Sequence, residues 1–104
     1  MNGGNPRAWR HSGGKLFEKG AQSLSDAELL AILIGTGIPG KSAEKIAEEI
    51  MARFSSFRGI ANQPFGKFYR IKGMGEVKVL RIAAAFEIAR RIVNEVVREY
   101  EKEG

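Results

Sequence analysis

The chain has 104 residues, which suits one domain with a modest core and is too short for two. It contains no cysteine, which excludes disulfides and thiolate metal sites and points to a reducing cytoplasm. Seventeen basic residues stand against twelve acidic ones, a surplus of +5 that favours polyanionic partners, while no apolar run nears a membrane span.

Residues 1–14 are rich in glycine and polar groups and carry no apolar signal-peptide core. They read as a mobile arm in which Trp9, flanked by Arg7 and Arg10, either stacks on a base or tucks against the domain. His11 is the sole histidine and is assigned no role. Ser25-Asp26-Ala27-Glu28 is a capping box, with Leu24 placed to staple onto Leu29. The helix that it opens runs through LLAILI and ends at Gly35.

Ser42 caps a second helix, in which Ala43, Ile46, Ala47, Ile50, Met51 and Phe54 form one apolar stripe. Lys45 with Glu49, and Glu49 with Arg53, are spaced as i,i+4 pairs on its wet face. Ser55-Ser56 breaks this helix, FRGIAN makes a short one closed near Asn62, and Pro64 opens another turn. From Val79 to Ala89 the last helix is apolar on nearly every side, which predicts packing all round. Beyond it, Ile92, Val93, Val96, Val97 and Tyr100 carry a stripe that needs a partner. No segment alternates as a strand. The fold class expected is all-α: a compact bundle of about five helices, with 1–14 as arm, 15–93 as domain and 94–104 as a helix extension.

Residues 35–42, GTGIPGKS, match the phosphate-loop pattern G-x-x-x-x-G-K-[S/T]. In nucleotide hydrolases that loop follows a buried strand and works with a strand-end aspartate that holds Mg²⁺. Here the preceding segment reads as a helix, and the lone aspartate, Asp26, is spent at a helix start. The chain is therefore not expected to be an enzyme, and no cofactor or metal is expected.

The stronger phosphate signal lies further on. Ile71-Lys72-Gly73-Met74-Gly75 with Lys78 has the pattern h-x-G-h-G-x-x-K of a helix-hairpin-helix, where h is apolar. Its glycines allow a tight reversal and a close backbone approach, and the following helix aims its N–H groups at the same place. Between Gly66 and Arg81 five basic residues face one acid. The first loop repeats Gly-x-Gly at Gly35-Thr36-Gly37. With Ile38-Pro39 taken as an insertion, Ile46 and Ala47 align with Ile82 and Ala83, and Ile50 with Phe86. The expected DNA-binding residues are thus Lys72, Gly73, Gly75, Lys78 and Arg81, and on a second, degenerate hairpin Gly35, Gly37, Lys41, Ser42 and Lys45. Such contacts read phosphates and not base edges.

Residues 15–93 resemble the N-terminal domain of the bacterial RadC family. Leu24-Ser25-Asp26-Ala27-Glu28-Leu29-Leu30-Ala31, the loop from Gly35-Thr36-Gly37 to Gly40-Lys41-Ser42, and Ile71-Lys72-Gly73-Met74-Gly75 carry the resemblance. It implies a helix-hairpin-helix module, a link to DNA repair, and a following JAMM-type metal-binding domain whose ligands this chain lacks. The segment before Lys15, with WRHSGG, departs from the family's usual start. The stripe from Ile92 to Tyr100 then has two candidate partners: that following domain, or a second copy. A protein-interaction or dimerisation domain with purely architectural hairpins is the rival reading.

Overall fold

The computed structural model describes residues 11–103. Arg7, Trp9 and Arg10, with the rest of residues 1–10, lie outside the described residues. Six α-helices follow one another: α1 Ser12–Lys19, α2 Asp26–Ile34, α3 Ala43–Phe54, α4 Phe57–Ala61, α5 Phe65–Tyr69 and α6 Glu76–Glu103. A 3-10 turn, Ala21–Ser23, joins α1 to α2. Among the described residues there is no strand, so the all-α expectation holds.

Helix α1 is the element that the sequence concealed. Gly13 and Gly14 disfavour a helix, and Ser12 to Gly14 fell in the expected arm. Tertiary contacts override that propensity. The N–H and the hydroxyl of Ser12 both donate to Glu44 at the start of α3, at 3.1 and 3.0 Å. Lys15 pairs with Glu28 of α2 at 3.1 Å. Burial raises the Glu44 pKa, but the Ser12 N–H and hydroxyl, with Glu44's own backbone N–H and the nearby His11, together bring it below the ordinary value.

The capping box on α2 forms as expected. Ser25 Oγ accepts from the Glu28 N–H at 3.1 Å, and the Glu28 carboxylate accepts from the Ser25 N–H at 2.9 Å. These bonds, with Lys15, hold the Glu28 carboxyl below its usual range. Ser42 and Ser56 cap α3 and α4 in the same way, accepting from the N–H groups of Lys45 and Gly59. Asn62 closes α4 and Pro64 opens α5.

The core gathers one face from each of α2 to α6. Leu30, Ile34, Ile46, Ile50, Ile71 and Val79 are its most buried large side chains. Phe54 packs against Phe68 with ring centroids 5.2 Å apart, and Phe57 meets Phe86 edge-on at 6.2 Å. The stripe predicted on α3 is present: Ala43, Ile46, Ala47 and Ile50 are buried, and Met51 and Phe54 pack at its edge.

Two expectations fail here. Helix α6 is not packed all round, because only Val79 and Ile82 along it are buried, while Leu80 and Ile88 are 50% and 61% exposed. Its neighbours reach one face only. The expected Lys45–Glu49 pair is also displaced, since the Glu49 carboxylate is taken by Lys41 and by Arg53. Among the described residues no helix is long and apolar enough to cross a membrane.

Candidate nucleic-acid interface

Residues 35–42 join α2 to α3. Gly35 ends α2 at φ 82°, and its N–H donates to the Ala31 carbonyl at 2.9 Å. Ile38 and Lys41 exchange two backbone hydrogen bonds, each 2.9 Å, around Pro39-Gly40. Pro39 takes the second position of this turn and Gly40, at φ 82°, the third, as a type II turn requires. A side chain on Gly37 would run into the Lys41 carbonyl. The segment before the loop is helix α2, so GTGIPGKS connects two helices instead of following a strand.

Residues 70–75 join α5 to α6. The Met74 N–H donates to the Ile71 carbonyl at 3.0 Å, and Gly73 has φ 101°. Ile71 and Met74 are buried and anchor the turn, while Lys72 and Gly75 remain exposed. The Val79 N–H donates to the Gly75 carbonyl at 3.1 Å and starts α6.

The two loops correspond, but in a register different from the expected one. Each has an Ile-x-Gly-x turn with a left-handed third residue, Gly40 or Gly73. Ile38, Gly40, Ser42, Lys45 and Ile46 therefore match Ile71, Gly73, Gly75, Lys78 and Val79 with no insertion. Ile46 and Val79 are both almost wholly buried, as equivalent positions should be. Gly35-Thr36-Gly37 lies outside the repeat and begins with the C-cap of α2. The Pro39-Gly40 pair, itself a turn signal, was the clue to this register.

The loops also touch. Lys41 Nζ donates to the Lys72 carbonyl at 2.9 Å while pairing with Glu49. Lys78 Nζ donates to the next carbonyl, that of Gly73, at 2.8 Å. A Cβ on Gly73 would lie 2.5 Å from Ile46 Cδ1, so the second turn rests directly on α3. The Arg81 guanidinium sits over Gly35, 3.0 Å from where a Cβ there would stand. Lys41, Lys72, Gly73 and Lys78 thus converge on one turn, and Arg81 of α6 lies close to the first loop. Lys45 and Ser42 lie exposed in and before the first turn of α3.

Sequence reasoning placed Glu49 only in pairs along α3 and Ile38 only in an insertion, and so missed their contacts with Lys41. The hydrogen bond from Lys41 holds the Glu49 carboxyl below its ordinary pKa, so it stays charged beside Lys41. Nothing in local spacing marks this contact, because Lys41 and Glu49 are eight residues apart and meet only once α3 folds. Among the described residues, no group of three or more His, Cys, Asp or Glu side chains is placed to hold a metal.

The profile of the UPF0758 N-terminal family matches residues 13–80. A UPF0758 protein of Marinobacter nauticus is 41% identical over 85 residues, covering 82% of this chain and 38% of the relative. One from Nitrosospira multiformis is 43% identical over 84 residues, covering 81% and 38%. One from Halorhodospira halophila is 44% identical over 81 residues, covering 78% and 36%. The chain therefore spans less than two fifths of the length of these relatives. No solved structure matches it. By its sequence from residue 13 to residue 80, the chain belongs to the UPF0758 N-terminal family, the RadC-like family that it resembles.

Proposed function

We propose that this domain is a non-catalytic DNA-binding module that holds phosphates through its two turns, largely without regard to sequence. The RadC resemblance associates it with DNA repair or recombination. The observation that carries the reading is the pair of lysines on consecutive carbonyls of one turn. In a trans peptide the N–H points opposite to the C=O. With the Lys72 carbonyl drawn toward Lys41, the Gly73 N–H faces away from Lys41, and the Lys72 side chain beside it is exposed. An anion meeting that side finds backbone donors and excess positive charge together.

In this reading Lys72, the N–H groups of Gly73 and Gly75, Lys78 and Arg81 hold one run of phosphates. Ser42 and Lys45, with the backbone of Gly35 and Gly37, hold a second. Lys41 serves both by fixing one turn against the other. In the longer relatives the module would bring a following domain, JAMM-type by the RadC resemblance, to DNA. Fluorescence anisotropy with duplex, single-stranded and branched DNA tests the reading. Neutralising about four phosphates gives a slope of log K against log salt of roughly −3 to −4. Absence of binding to all three at low salt, or a salt-independent affinity, removes it.

A second reading rests on its own observation. Ile92, Val93, Val96, Val97 and Tyr100 are all exposed, between 46% and 73%. That favours a protein contact made by the far end of α6, remote along the helix from the turns.

A further inference from the structure

An apolar groove of about 400 Å³ runs between α2, α4 and α6, floored by Leu29, Leu33, Phe57 and Phe86. Two arginines, Arg58 and Arg90, also line it, and no acidic side chain does. Val93 also lines it, and from there α6 carries the exposed Val96, Val97 and Tyr100 onward. This outer stretch bears Glu95, Glu99, Glu101 and Glu103 against Arg98 and Lys102, so it is apolar with an acidic balance. Groove and extension are therefore complementary in both respects: apolar with basic, apolar with acidic.

The extension cannot reach the groove of its own chain. Both lie on one unbroken helix, Glu76–Glu103, and the groove wall Phe86–Val93 precedes the extension along the same axis. Only another molecule can supply the match. A second copy does so reciprocally, because a two-fold contact that seats one extension seats both.

We infer that two copies of this chain pair through α6, each laying its residue 95–103 extension in the groove of the other. The inference deepens the protein-contact reading above and is independent of DNA binding. Tyr100 fills the partner's apolar floor, and the acidic side chains meet Arg58 and Arg90. Arg90 has donors to spare: Glu87 takes two of its N–H groups, and a guanidinium has five. The turns at the start of α6 stay open, since the paired surface is at its other end.

Sedimentation equilibrium of the full chain across the micromolar range tests this. A reversible dimer is expected. Val97→Glu, at an exposed site that leaves the fold intact, should weaken it by at least about tenfold, since it would bury a carboxylate against the partner's apolar groove. Arg58→Glu with Arg90→Glu should weaken it as well, and adding Glu99→Lys with Glu101→Lys should restore it. A chain that is monomeric throughout overturns the inference, and so does a dimer indifferent to Val97→Glu. If that monomer instead captures the following domain of a longer relative, the protein-contact reading survives and the second copy is wrong.

Discussion

Lys41 Nζ donates to the backbone carbonyl of Lys72 at 2.9 Å, and so ties the first loop to the second. The lysine that a nucleotide-binding loop would offer to a terminal phosphate is here turned inward, with Glu49 at its back. Glu49 is thereby a positioning residue, and its removal separates two physical accounts. If charge alone governed DNA affinity, Glu49→Gln would strengthen binding, because it raises the net charge by one. If the Lys41 contact sets the turn, the same change should weaken binding, by about threefold to tenfold for loss of one charge-assisted hydrogen bond. Anisotropy titrations of Glu49→Gln and Lys41→Met decide between them, and the amide shifts of Lys72 and Gly73 report the turn even without DNA.

Gly73→Ala should destabilise the fold by about 2 kcal/mol. Its φ of 101° disfavours any side chain, and the new methyl would press on Ile46. Gly75→Ala, where a Cβ meets nothing within 4 Å, should cost far less. Urea unfolding of the pair checks the contrast. Equal losses would mean that the second turn does not rest on α3 as described.

Lys72→Ala combined with Lys78→Ala should weaken binding to unrelated DNA sequences about equally. Removing two phosphate contacts should also make the salt slope shallower by about two units. Unequal losses across sequences would point to base-edge readout, against the proposed mode.

Acid should unfold this domain through its carboxylates. Glu28, Glu44 and Glu49 all have folded pKa values below their ordinary 4.5. A depressed folded pKa contributes stability above the unfolded value and loses it as pH falls through the folded one. Stability should thus hold down to about pH 5 and decline below it. Glu44→Gln should flatten part of that decline, because the Ser12 tether no longer titrates. Urea midpoints at stepped pH provide the measurement.

Much of this was legible in the chain. The capping box at Ser25, the α3 stripe and the breaks at Ser55 and Pro64 are local patterns, and local patterns survive folding. What escaped was set by distant partners. Helix α1 forms around Gly13 and Gly14 because Glu44, 32 residues on from Ser12, holds its first turn. The apolar surround of α6 suggested burial, but the other described helices cover one face and leave Leu80 and Ile88 out. At the two loops, the register that relates one turn to the other was not readable from the spelling. Gly35-Thr36-Gly37 imitates the second turn in spelling, yet Ile38-Pro39-Gly40-Lys41 matches it in conformation.

An NMR titration of the chain with a short DNA duplex at low salt bears most directly on the central claim. Amide shifts concentrated at Gly73 to Lys78 and from Gly35 through Lys45 are the predicted result. No shifts at low salt, or shifts confined to the far end of α6 around Val96 to Tyr100, would contradict it.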